Sequence, residues 1–152
     1  MSTTQNATSA IAEAMKTHHA PVVRRPSEYP PELGRFVNTT QMVFHPTPDD
    51  RTSPNAGILN YLPGGGFPLH KHDFAQVWYV IEGECRFGEH VLRPGDMVYL
   101  ADPHFEYEMH TENGCKILFV QYPGPTTGAR PIYEGRFNKK TQVPVEMEDL
   151  EH

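Results

Sequence analysis

The stretch Pro68-Leu69-His70-Lys71-His72-Asp73-Phe74-Ala75-Gln76-Val77-Trp78-Tyr79-Val80-Ile81-Glu82-Gly83 decides how the rest of the chain reads. From Val77 onward it is strand-like, rich in β-branched and aromatic residues and closed by a glycine. Side chains alternate along an extended segment with period two, so His70 and His72 point to one face. Gln76 is in phase with both histidines, and a strand through all three sends two imidazoles and a carboxamide to the same side. Loop histidines beside a solvated glutamine would need no such phase. Imidazoles converging on one point are the donor type of a transition-metal site, and we read this face as metal-binding.

Upstream lies the loop Pro63-Gly64-Gly65-Gly66-Phe67-Pro68. With it, Gly64, His70, His72, Gln76 and Gly83 resemble the first motif of the cupin superfamily: a glycine, His-x-His, a Glu or Gln, and a second glycine at set spacings. A later stretch resembles the second motif of that family. Gly88 precedes the turn Pro94-Gly95-Asp96, and Pro103-His104-Phe105-Glu106-Tyr107-Glu108 follows. The segment from Asp96 to His104 is shorter than usual, and Glu108 stands where the family usually carries asparagine. The resemblance spans residues 38 to 123 and implies an all-β fold, a small jelly-roll β-barrel. It also implies a metal held by His70, His72, Gln76 and His104.

The 152 residues suit one domain with a real core. A net charge of −6 argues against nucleic acid or an anionic membrane as the main partner. No apolar run reaches the length of a membrane span and no signal-peptide pattern opens the chain, so a cytoplasmic location is the expectation. Cys85 and Cys115 fall on different predicted strands and read as buried free thiols.

Residues 1–35 read as an N-terminal arm, with a short helix over Ala7 to Lys16 and an extended, basic, proline-rich run from Pro21 to Pro31. Such an arm either wraps the barrel or crosses to a second subunit. Residues 36–137 read as the barrel. Its predicted strands are Thr40–His45, Gly57–Leu62, Pro68–His72, Gln76–Glu82, Glu84–Phe87, His90–Leu92, Met97–Leu100, His104–His110 and Cys115–Tyr122. Gly88-Glu89 and Glu112-Asn113-Gly114 read as hairpin turns, and Pro131 to Phe137 as a last strand or a lid. Many short strands at this spacing are the pattern of a sandwich or barrel. Residues 138–152 form a tail, ending in Leu150-Glu151-His152, which resembles a tag remnant. Cys115 to Tyr122 is apolar on both faces, so the barrel's outside is expected to be covered in a homodimer.

The three histidines and Gln76 carry no charge, so a divalent ion among them keeps its full charge and attracts an anionic or carbonyl-bearing small molecule. Fe(II) or Mn(II) suits this set, and nickel or zinc also fits. Period two along His104–His110 places His104, Glu106, Glu108 and His110 on one face. Glu106 and Glu108 are candidate general bases, and either can instead orient a ligating histidine or sit solvated at the rim. His110 is the alternative to His104, which is preferred for its preceding proline. Trp78 shares the face of Gln76 and is a candidate pocket wall. By family analogy the leading expectation is a dioxygenase acting on a small enolisable or hydroxy-carbonyl substrate. A manganese-, nickel- or zinc-dependent lyase or isomerase, and a non-catalytic metal- or ligand-binding protein, are the alternatives.

Overall fold

The computed structural model describes residues 3–17, 20–34, 36–45, 53–72 and 74–122. The paired His18 and His19, the expected return of the chain over 131–137 and the tail at 138–152 lie outside the described residues. A helix α1 (Thr3–Thr17) begins one turn before the expected start at Ala7 and leaves Ile11 and Met15 exposed. Among the described residues no helix is long and apolar enough to cross a membrane.

The rest is antiparallel β-structure: β1 (Glu32–Leu33), β2 (Asn38–Phe44), β3 (Asn55–Tyr61), β4 (Gly66–Phe67), β5 (His70–His72), β6 (Ala75–Gly83), β7 (Cys85–Phe87), β8 (His90–Leu92), β9 (Met97–Leu100), β10 (His104–Glu106), β11 (Met109–His110) and β12 (Cys115–Tyr122). Six strands form one sheet in the order β1-β2-β3-β12-β6-β9. A second sheet runs β4-β11-β7-β8, and β10 pairs with β5 alone. Burial alternates residue by residue along β12, with Cys115, Ile117, Phe119 and Gln121 facing inward. Trp78 and Val80 of β6, Phe67 of β4, Phe87 of β7 and Met109 of β11 close the same core from the facing strands. Cys85 and Cys115 are buried free thiols, as expected.

The arm runs along its own barrel over residues 24–33. The Gln41 Nε2 amide donates to the carbonyls of Pro26 (2.7 Å) and Tyr29 (3.0 Å), and Arg24 donates to the Val43 carbonyl at 2.9 Å. The same arginine lies 5.0 Å from the centre of the Phe44 ring, a cation–π contact. β1 then pairs with β2, Glu32 opposite Thr40.

Two local readings change. The run expected as one strand from His104 to His110 is broken at Tyr107–Glu108, because β10 pairs with β5 while β11 pairs with β4 and β7. The break shifts the inward phase by one residue, so Met109 faces the core and Glu108 and His110 face solvent. The turn at Glu112–Gly114 is not a hairpin. It carries the chain from β11 in the four-stranded sheet to β12 in the six-stranded one.

Candidate metal centre

The β10–β5 ladder builds the site. His104 lies opposite His72, and Glu106 lies opposite His70. Cross-strand neighbours on one face stand about 5 Å apart at Cβ, close enough for their side-chain tips to meet. Here they do. Glu106 Oε2 is 3.1 Å from His70 Nε2, and its Oε1 is 3.2 Å from His72 Nε2 and 3.7 Å from His104 Nε2. All four side chains are buried. The candidate donor atoms of His70, His72 and Glu106 fall within 4.8 Å of one another.

Backbone carbonyls fix two of the three tautomers. A carbonyl only accepts, so His70 Nδ1 donates its N–H to Pro68 (2.8 Å) and His104 Nδ1 donates to Ala101 (2.7 Å). Each ring therefore keeps an Nε2 lone pair on the Glu106 side: that of His70 faces the carboxylate at 3.1 Å, and that of His104 lies 3.7 Å from it and accepts from Gln76 Nε2 at 3.1 Å. Lone pairs facing a carboxylate repel unless something positive stands between them. Protons on Nε2 would satisfy the contacts only by making His70 and His104 buried imidazolium ions against a single carboxylate. Burial moreover lowers the proton affinity of His72 below its ordinary value, despite the pull of Glu106. Burial also opposes ionisation of Glu106, and only positive charge on the facing His72, with donor contacts from His104, His70 and His72, outweighs it and holds the carboxyl well below the usual carboxylate range, so the buried carboxylate calls for a cation among these rings. A metal cation answers this arrangement better than protons do. Donors about 2.1 Å from a shared ion stand about 3.0–3.4 Å from one another, and the contacts of Glu106 to His70 and His72, at 3.1 and 3.2 Å, fall in that range.

The other anticipated residues divide clearly. Gln76 sits beside the cluster, its Nε2 donating to Glu106 Oε1 and lying 3.1 Å from His104 Nε2. Its Oε1 points away and accepts from Trp78 Nε1 at 3.0 Å. Trp78 lines a cavity of about 50 Å³ with Phe36, Tyr61, Phe67, His70, His72 and Glu106, while His104 lines a neighbouring one with Leu100 and Ala101. Glu108 and His110 are exposed, and His110 lines a different cavity beside Cys85 and Arg86. Two residues that sequence reasoning passed over belong to the neighbourhood, Asn55 and Gln121, both buried. Gln121 could have been found, since it is in phase with the inward Cys115, Ile117 and Phe119 on a strand otherwise apolar along that face.

Residues 55–127 match the family model of the AraC-like ligand binding domain. An RmlC-like cupin from Shewanella frigidimarina shares the architecture, with a TM-score of 0.55 and 21% identity over 70% of this chain and 94% of that one. The fold is that of a cupin. Two further cupin-fold neighbours carry different activities in their descriptions. The polyketide cyclase RemF from Streptomyces resistomycificus superposes with a TM-score of 0.55 at 16% identity, over 74% of this chain and 83% of that one. A protein assigned as an acetylacetone dioxygenase, from Methylibium petroleiphilum, gives a TM-score of 0.53 at 10% identity, over 76% and 88%. At such identities the likeness to these structures is one of fold. No protein of curated function matches the sequence significantly.

Proposed function

We propose that this cupin is a metal-dependent enzyme acting on a small enolisable or hydroxy-carbonyl compound, with dioxygenase chemistry the leading reaction. One observation carries the reading: three imidazole nitrogens converge on a buried carboxylate, two of them with lone pairs directed there by backbone carbonyls. His70, His72, His104 and Glu106 would hold the ion, Fe(II) or Mn(II) by preference, with nickel or zinc suited to the same donors. When bound, it would supply a Lewis acid that polarises a carbonyl oxygen. Glu106 reduces the net charge of the centre by one unit relative to an all-neutral donor set, and a positive remainder still favours an anionic oxygen. Phe36, Phe67 and Trp78 supply the apolar part of a lining that also holds Asn38, Thr40, Gln76 and Gln121, and the burial of the centre strengthens the electrostatic contacts inside. The cavity of about 50 Å³ takes an ion and a few ligand atoms, so a substrate enters by its carbonyl end. The acetylacetone dioxygenase assignment of one fold neighbour supports the choice of reaction.

The test is the metal content of tag-free protein purified without oxygen, followed by oxygen uptake against a panel of diketones and hydroxyketones. Near-stoichiometric iron with substrate-dependent uptake supports the dioxygenase. Manganese, nickel or zinc with turnover in the absence of oxygen means a lyase or isomerase. The match to a ligand binding domain favours a second reading, a non-catalytic binding protein, which predicts saturable binding of a carbonyl compound without turnover.

We further propose a homodimer. Tyr79, Ile81, Met97 and Tyr99 are exposed on the outer face of β6 and β9, Tyr79 lying opposite Met97 and β9 forming the sheet edge. A self-complementary apolar face at a sheet edge suits a second copy of the same chain. Light scattering should give twice 17.2 kDa, and M97K combined with Y99K should halve it. A wild-type monomer sinks this proposal.

A further inference from the structure

Three carboxamides stand side by side across adjacent strands of the six-stranded sheet. Gln121 of β12 lies opposite Asn55 of β3 on one side and opposite Gln76 of β6 on the other. All three are buried. Asn55 Nδ2 donates to Gln121 Oε1 at 2.7 Å, Gln121 Nε2 donates to Gln76 Oε1 at 3.1 Å, and Gln76 Nε2 donates to Glu106 Oε1. The donors all run one way, toward the cluster of histidines.

Trp78 sets that direction. An indole nitrogen only donates, so the Gln76 atom 3.0 Å from Trp78 Nε1 has to be the oxygen. Reversing the Gln76 amide would set its N–H groups against two donors, those of Trp78 and Gln121, among side chains that are all buried. The nitrogen is thereby committed to the cluster side. An amide nitrogen has no lone pair free for a metal, because it is delocalised into the carbonyl. The first-motif residue that spacing alone would make a ligand thus presents only donors to the centre.

We propose that the Asn55–Gln121–Gln76 ladder, locked by Trp78, is a positioning device that makes Gln76 an N–H donor holding the Glu106 carboxylate, which supplies negative charge to the centre in place of residue 76. This rests on the metal-centre reading above. Gln76 then acts through Glu106: an oxygen that accepts the Gln76 N–H keeps a second lone pair, and its orientation toward the imidazoles is fixed before any ion arrives.

The probe is Zn(II), diamagnetic and suited to the same donors, added to the full chain. Side-chain amide and indole signals are followed by NMR with ¹⁵N labelling, and affinity is read by competition with a chromophoric chelator. In wild-type protein the Gln76 amide and the Trp78 indole N–H should stay protected from exchange both before and after zinc binding. Gln76→Leu should weaken zinc about tenfold to a hundredfold, the usual range for groups that orient ligands. Gln121→Glu, which replaces the donor beside Gln76 Oε1 with an acceptor, should weaken it comparably and deprotect the Gln76 amide. Wild-type protein in which zinc releases the Trp78 and Gln121 donors has Gln76 ligating through its oxygen, and the positioning role is overturned while the metal centre stands. Unchanged zinc affinity in Gln76→Leu overturns it as well. Wild-type protein that takes up no zinc, iron or manganese removes the metal-centre reading and the positioning role with it.

Discussion

Glu106→Gln should lose metal retention and, at the same time, make the metal-free protein more stable. The two effects have one origin. In the absence of an ion, the Glu106 oxygens face the nitrogens of His70, His72 and His104 at 3.1, 3.2 and 3.7 Å, and two of those nitrogens are lone-pair acceptors. A glutamine of the same shape removes a buried charge and brings an NH2 group that can donate to an imidazole. Its apo form should therefore melt at a higher temperature than wild type, by about 1–2 kcal/mol of stability. With iron, manganese or zinc added, the order should reverse, since only wild type gains from ligand binding to the folded state. Affinity should fall by more than the roughly hundredfold that loss of an outer contact costs. His70→Ala should abolish retention outright. The competing picture is a buried ion pair between Glu106 and protonated imidazoles. That picture predicts the opposite for the apo protein: breaking such a pair costs about 3–5 kcal/mol. Differential scanning of apo wild type and apo Glu106→Gln separates the two in a single comparison.

Much of the barrel is legible because its strands obey local rules. Cys115–Tyr122, His90–Leu92 and Met97–Leu100 have the bounds their composition suggests, and period two along Cys115–Tyr122 matches its alternating burial. The convergence of His70, His72 and Gln76 on one side follows from the same arithmetic, all three being buried around one cavity. What the sequence leaves open is decided between strands. Glu106 and Glu108 are equivalent by period, and they separate only because β11 pairs with β4 and β7 rather than continuing the β10–β5 ladder. β4 itself, Gly66–Phe67, lies inside a glycine loop and becomes a strand through Met109 and His110 across from it. Which end of the Gln76 amide faces the cluster depends on Trp78 two residues on and on Gln121 forty-five residues away. No local pattern encodes that.

The two glycines that frame the first motif make a final contrast. Both adopt the left-handed backbone, Gly64 at φ 80° and Gly83 at φ 78°. Either one replaced by alanine bears the strain of that conformation, roughly 1–2 kcal/mol. Around Gly64 nothing lies within 4 Å of the position a Cβ would take, so Gly64→Ala should cost about that much and no more. Gly83 is different. Its Cβ would fall 2.3 Å from the Gly114 carbonyl oxygen and 2.7 Å from Cys115 Cα, both backbone atoms of the strand start that pairs with it. Backbone in a sheet does not yield as a flexible side chain does, so β6 and β12 have to separate at that end. Gly83→Ala should lose about 3 kcal/mol or more in urea unfolding, placing it among the severe single substitutions. The damage should stay at that end of the ladder. A register irregularity already sits between Lys116 and Ile117, and beyond it the pairing runs unbroken to Gln121 opposite Gln76. Zinc affinity of the folded fraction of Gly83→Ala should thus remain near that of wild type. A cost equal to that of Gly64→Ala would mean that the strands approach less closely at Gly83. A parallel loss of zinc affinity would mean that this end of the sheet holds the carboxamide ladder in register.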